Sequence, residues 1–177
     1  MRSFKLMLAV FGGAAVLSAQ TQNPLSSEVR WSYTSIKTNL LKMADKMPAE
    51  NYSFKPTAEV ETFARRIAHI AEANMNICAG LNGERKPLGA ASMTSKAELV
   101  AALKESFSYC DRVFDSLTDA TAVEMVSSRL GGPFPPEPTR SRLATLYNLI
   151  RHSNEMYGYM AVYLRLKGVT PPTSAPE

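Results

Sequence analysis

The segment Arg151–Pro172, RHSNEMYGYMAVYLRLKGVTPP, predicts the end of a long α-helix and a place where a ligand could bind. Gly168 suits a helix C-terminal cap because glycine adopts positive φ at little cost, and the two prolines that follow cannot continue the helix. The same helix is expected to begin near Thr139. His152 and Met156 are four residues apart and therefore share one face, with about 5 to 6 Å between their Cβ atoms. Side chains at that distance can bind one ligand or metal ion together.

Two earlier segments have the apolar spacing of amphipathic helices, with alternating intervals of three and four positions. The first predicted helix runs from about Ser26 to Met47 and stops before Pro48. The second starts at Thr57, a predicted N-cap, and ends near Gly80. Their apolar stripes are Val29, Tyr33, Ile36, Leu40, Met43 and Met47 in the first helix, and Val60, Phe63, Ile67, Ile70, Asn74 and Ile77 in the second.

A third helix is predicted from Ser95-Lys96-Ala97-Glu98, a capping box in which the serine and glutamate side chains each bind a free backbone N–H. The segment 131–138, GGPFPPEP, cannot form regular helix, because proline lacks an N–H donor and restricts the residue before it. No segment alternates with period two over a strand's length, so the sequence predicts an all-α four-helix bundle. The remaining stripes are Leu99, Leu103, Phe107, Cys110, Phe114 and Leu117 in the third helix, and Leu143, Leu146, Ile150, Tyr157, Met160 and Leu164 in the last.

The other histidine of the chain, His69, lies in the second predicted helix. A bundle that packs this helix against the last one would form a His/His/Met cluster with His152 and Met156. His69 and Met156 precede the stripe residues Ile70 and Tyr157, and His152 precedes Ser153, a stripe position without an apolar residue. Such positions face the rim of a bundle, where a side chain can bind an ion and still meet solvent or substrate. The cluster is therefore the candidate functional site.

The first 19 residues predict a signal peptide. Arg2 and Lys5 precede an apolar run that ends at Leu17, and small residues follow it. The run is shorter than the roughly 20 apolar residues that span a bilayer. We therefore expect an exported protein, periplasmic or secreted, with no stable membrane anchor and one domain over residues 20–177.

The charge of the chain gives no support to a nucleic-acid partner. The formal net charge of +4 includes Arg2 and Lys5, so the chain without its first 19 residues carries about +2. The remaining basic residues are interleaved with acidic ones, which is typical of a solvated helix face rather than of a phosphate-binding patch.

Two motifs resemble those of the DinB/YfiT superfamily of metal-binding four-helix bundles, and in particular its small exported DinB-like members. The first is F-x-x-x-I-A-H-I-A-E-A-N from Phe63, and the second is H-x-x-E-x-Y-G from His152 followed by V-Y-L-R-L-K-G-V-x-P-P. The resemblance covers residues 23–174. It implies a DinB-like bundle of down-up-up-down topology, with a long crossover between the second and third helices.

The resemblance also implies a divalent-metal site of three histidines, one on the second helix and two on the last. His69 and His152 match two of them by position, while Met156 stands where the third is expected, and its thioether is a soft, weak donor. Three interpretations follow. The metal site has been lost and the histidines are hydrogen-bonded polar groups; or a Zn, Ni or Fe ion binds to both, with water or a carboxylate such as Glu72 or Glu155; or the site prefers copper(I).

Cys78 and Cys110 are the two cysteines, and a disulfide is the default expectation in an exported protein. Antiparallel neighbouring helices joined by a loop over residues 81–94 would keep them far apart. The parallel second and third helices that the resemblance implies would bring them to similar heights, and we therefore predict the bond. It would stabilise the fold by roughly 3 to 4 kcal/mol in the chain-entropy model.

Two classes of function remain open. An enzyme similar to other DinB-like proteins would use its metal for hydrolysis or thiol transfer on an unknown small molecule. A non-enzymatic bundle would bind a small ligand, a metal or a partner, and could form a homodimer. The sequence contains no nucleophile-elbow serine and no glycine-rich phosphate loop. Trp31, off the first stripe, is predicted to be either a partly buried core residue or an interface anchor.

Overall fold

Four long helices form the bundle in a computed structural model that describes residues 23–126 and 140–174. The predicted signal peptide and the segment 131–138 lie outside the described residues. A short helix and a two-residue antiparallel strand pair lie between the third and the last long helices. The helices are α1 (Pro24–Lys46), α2 (Phe63–Leu81), α3 (Lys96–Asp115), α4 (Asp119–Ala122) and α5 (Arg142–Leu166), and the strands are β1 (Met125–Val126) and β2 (Arg140–Ser141).

Contacts at the helix ends fix the topology. Arg65 near the start of α2 donates to the carbonyl of Ala91, just before α3, and Asn82 after the end of α2 donates to Tyr109 near the end of α3. These two helices are therefore parallel. At the start of α2, the Glu61 carbonyl accepts a 2.7 Å hydrogen bond from Tyr163 near the end of α5, so α2 and α5 are antiparallel. The predicted down-up-up-down bundle is confirmed.

The core confirms most of the predicted stripes. Every predicted position of α3 is buried, and so are all those of α1 except Val29, which is partly buried against the core. In the stripe of α5, Leu143 and Tyr157 are only partly buried, and Met156 is buried in place of Tyr157. The buried stripe of this helix also includes Ser153, which is fully buried. Position 153 was predicted to belong to the stripe although it holds no apolar residue, and its burial confirms this.

The start of α2 corrects the predicted N-cap. Thr62 caps the helix, and its hydroxyl accepts a hydrogen bond from the Arg65 backbone N–H at 3.2 Å. The backbone N–H groups of Phe63 and Ala64, the first two residues of the helix, donate to the carbonyls of Phe54 and Tyr52. Thr57 instead hydrogen-bonds to Glu59 within the preceding turn, which holds the pKa of that exposed carboxyl below its usual value. The chain between α1 and α2 therefore supplies part of the cap, and the helix begins later than predicted.

Trp31 is a surface residue with 74% of its area exposed, on the opposite side of α1 from the core, so the core alternative for this residue is wrong. The reason is helical phase, because it lies close to half a turn away from the buried stripe of Tyr33, Ile36 and Leu40. None of the helices in the part of the chain that the structure describes is long and apolar enough to cross a membrane.

Cys78 and Cys110 form a disulfide inside the core, with 5.3 Å between their Cα atoms. Each cysteine lies about four turns from the start of its helix, so the parallel packing of α2 and α3 brings them to the same height. The bond closes a loop over a sequence separation of 32 residues that includes the whole crossover. It therefore restricts the unfolded chain as well as joining the two helices.

We expect the Cys78→Ala/Cys110→Ala variant to lose roughly 3 to 4 kcal/mol of unfolding free energy, because the unfolded chain regains the entropy of the open loop. Urea titration followed by circular dichroism measures this loss. A reducing agent should destabilise the wild-type protein and leave the variant unchanged. Equal stability of the two oxidised proteins would contradict the prediction.

Candidate metal centre

His69 on α2 and His152 on α5 face each other across the helix pair, as the sequence predicted. Their Nε2 atoms are 3.0 Å apart, and the rings meet edge to face at 80° with centroids 5.0 Å apart. Ile70 and Ser153, the stripe residues that follow the two histidines, are buried, and this holds both histidines beside the helix interface. His69 is exposed and the His152 side chain is 22% exposed, so the pair lies at the rim and is open to solvent.

Both imidazoles favour the neutral form. Although His69 keeps an exposed edge, the partial burial of its ring lowers its pKa below the ordinary value, and the nearby Arg66 and Arg65 charges lower it further. Burial also lowers the pKa of His152, with a second contribution from His69, and the Glu155 carboxylate opposes this shift only in part. At neutral pH each ring therefore has one N–H and one lone pair. The 3.0 Å separation is that of a hydrogen bond in which one Nε2–H donates to the other Nε2.

The two carboxylates that the sequence suggests as further ligands lie in different places. Glu155 Oε2 lies 3.9 Å from Nδ1 of His152, on the side of the ring away from His69. This distance is longer than a hydrogen bond, so Glu155 lies near the His152 ring without fixing its orientation. Glu72 accepts hydrogen bonds from the backbone N–H groups of Leu88 and Ala90, so its carboxylate holds the crossover against α2.

Met156 lies beside the histidine pair but is buried, with 4% of its area exposed. Its Sδ atom is 3.9 Å from Nη1 of Arg66, and the same guanidinium lies over the ring of Tyr159, with Cζ 5.3 Å from the centroid. Sequence reasoning missed Arg66. Arg66 and Arg65 precede His69 by three and four residues and both share its face of α2, so the spacing alone does not single out Arg66.

The donor set fits a divalent ion held by two imidazoles and does not reproduce a three-histidine site. Bonds from nitrogen to zinc-type ions are about 2.0–2.1 Å long, so two Nε2 atoms 3.0 Å apart would bind one ion at an angle of roughly 90–97°. That angle is close to the one between neighbouring octahedral ligands. No group of three or more His, Cys, Asp or Glu side chains that could hold a metal occurs in residues 23–126 and 140–174. Water or an external ligand would have to complete the shell.

Comparisons with known proteins agree with this architecture. A crystal structure of a DinB-like protein from Bacillus cereus is similar, with a TM-score of 0.65 and 21% identity, over 86% of this chain and 98% of that one. A conserved protein from Enterococcus faecalis is similar with a TM-score of 0.63 and 12% identity, over 80% of this chain and 95% of that one. These likenesses show the fold alone, and no curated protein matches the sequence. The sequence model of the DinB superfamily matches residues 33–160, and this protein therefore belongs to the DinB superfamily.

Proposed function

We propose that this protein binds one divalent ion of the zinc, nickel or iron class through Nε2 of His69 and Nε2 of His152. The observation that carries the proposal is the 3.0 Å separation of these two atoms at the rim of the bundle. Imidazole is a good ligand for these ions, and it binds through the lone pair of its neutral form. The ring whose Nε2–H donates in the metal-free pair would carry that proton on Nδ1 when the ion is bound. Because the pKa of each ring is lowered, the neutral form predominates at neutral pH.

The bound ion would supply Lewis-acid chemistry, lowering the pKa of a water or thiol in its open positions. His69 and His152 would bind the ion, and the Glu155 carboxylate, 3.9 Å from Nδ1 of His152, would place a negative charge close to it. The exposed edge of His69 leaves the site open to a small molecule. A metal-dependent hydrolase or transferase is the activity this arrangement supports. Export is part of the proposal, since the first 19 residues have signal-peptide features and a disulfide suits an oxidising compartment.

The contact between Arg66 and Met156 favours a second candidate, a non-catalytic exported bundle that binds a small ligand or a partner. In that protein the two histidines only hydrogen-bond to each other. The same contact weighs against copper(I), because a guanidinium beside the sulfur repels any cation that the sulfur would bind. A measurement of metal binding distinguishes the metal-binding protein from the non-catalytic bundle.

Tag-free protein is expected to bind one Ni²⁺ ion per chain weakly. Two imidazoles supply roughly half of the 10–16 kcal/mol typical of complete structural sites, which corresponds to a Kd of about 1 to 200 μM. Isothermal titration calorimetry measures the stoichiometry and the Kd. His152→Gln should weaken binding at least about tenfold. Met156→Leu, the matched control, should bind like the wild type, and Met156→His should bind more tightly because it adds a third imidazole.

Equal Ni²⁺ affinity in wild type and His152→Gln would place the ion elsewhere and overturn the proposal. No binding by wild type together with tight binding by Met156→His would support the non-catalytic candidate. If copper(I) binds to wild type and does not bind to Met156→Leu, the interpretation that the site prefers copper(I) would be established.

The stability of the metal-free protein should fall as the pH decreases below about 6.5, the ordinary pKa of histidine. Both histidines have a lowered pKa in the folded state, so the unfolded chain binds more protons in this range and stability rises with pH. Thermal unfolding in the presence of a chelator, between about pH 7.5 and about pH 5.5, measures the effect. His69→Gln/His152→Gln should show a smaller decrease in Tm over the same range. An equal decrease in both proteins would mean that other groups cause it.

A further inference from the structure

Arg66 lies beside the histidine pair without an acidic partner. In the described parts of the chain its guanidinium forms no ion pair, and its contacts are the Met156 sulfur at 3.9 Å and the Tyr159 ring. Arg65, the preceding residue, differs: it pairs with Glu61 at 3.8 Å and donates to the Ala91 carbonyl at 2.8 Å. The charge of Arg65 is therefore balanced within the fold, and the charge of Arg66 is not.

The Nε–H of Arg66 is also buried and has no hydrogen-bond partner within the protein. Buried polar groups are almost always hydrogen-bonded, and a cation without such a partner is costly. A thioether and an aromatic face are weak partners for a guanidinium compared with a carboxylate. These contacts leave the hydrogen-bonding capacity of Arg66 largely unused at the edge of the proposed ion site.

A positive charge beside two imidazoles opposes the binding of a divalent cation. An anion that lies close to the guanidinium and to the ion turns this repulsion into a net attraction, because it attracts both of these positive charges. The planar fork of arginine matches the two oxygens of a carboxylate, and carboxylate oxygen also binds zinc-type ions. A small carboxylate therefore satisfies both parts of this site.

We propose that Arg66 forms an anion subsite of the His69–His152 centre, so that the natural ligand carries a carboxylate bound to the guanidinium while it completes the shell of the ion. This inference rests on the proposed function, since it assigns the class of ligand to the same centre. Arg66 is a binding residue here, and Met156 and Tyr159 position its guanidinium.

The inference requires the ion and the carboxylate to increase each other's affinity. Linked sites typically change affinity by about 5- to 150-fold, and the effect is reciprocal. Replacing sodium chloride by sodium acetate at constant ionic strength should therefore raise the apparent Ni²⁺ affinity of wild-type protein at least about fivefold. Acetate that binds Ni²⁺ in free solution acts in the opposite direction and cannot produce this gain. Acetamide, which has the same shape without the charge, should have no effect.

Calorimetric titrations of three proteins test the inference. Arg66→Gln should bind Ni²⁺ more tightly than wild type in chloride, because the opposing charge is gone, and it should lose the acetate effect. Arg65→Gln, the matched control, should keep the acetate effect because its charge is already paired with Glu61. An acetate effect that persists in Arg66→Gln, or that is missing in wild type, overturns the inference.

A metal-free measurement separates this inference from the proposed function. If no Ni²⁺ binds in either salt, the proposed ion site is wrong, and the Arg66 Nε–H resonance is then followed by NMR during acetate titration. A saturable shift, absent with acetamide, would show that the anion subsite exists without an ion. An unchanged resonance would show that Arg66 binds no carboxylate, and both proposals would be wrong.

Discussion

The antiparallel packing of α2 against α5 is the constraint on which the site depends. Three contacts follow one another along this helix pair: Tyr163 to the Glu61 carbonyl, Arg66 to Met156, and His69 to His152. Each step moves forward on α2 and backward on α5. A shift of one residue would rotate a side chain by about 100° around its helix and separate the two imidazoles. Burial of Ile70 and Ser153 next to the histidines keeps this register.

The sequence predicted the features that depend on local chemistry or on regular spacing. The capping box at Ser95, the buried stripe of α3 and the cap region at Gly168, whose φ is 71°, are of this kind. The late start of α2 could not be read from the sequence, because its first N–H groups bind carbonyls of residues 52 and 54, which only the fold brings there. The stripe of α5 was misplaced at Tyr157 because steps of three and of four residues after Ser153 both fit the helix period, and the fold buries Met156, three residues on.

Part of the candidate site was predictable from residue type and from position beside the apolar stripes. His69 and His152 were identified because they are the two histidines of the chain and each lies beside a stripe. Arg66 could not be ranked above Arg65 from the sequence, since both are arginines in the first turns of α2. The difference between them arises from tertiary contacts: Arg65 meets Glu61 and the crossover, whereas Arg66 meets a sulfur and an aromatic ring. Whether an arginine can bind an external ligand depends on the partners that it has within the protein, and the fold determines those partners.

In the proposed ion site, Met156, at the position where the resemblance implies a third histidine, would change more than the number of ligands. A third imidazole would bind the ion directly and would make its affinity largely independent of what else is present. Met156 is instead buried against Arg66, so the protein provides two neutral donors and one adjacent positive charge. In the proposed site this charge would weaken the binding of an ion alone and strengthen the binding of an ion together with an anion. Such a centre is expected to be filled mainly when its anionic ligand is present, which makes metal occupancy a response to the ligand rather than a permanent property of the fold.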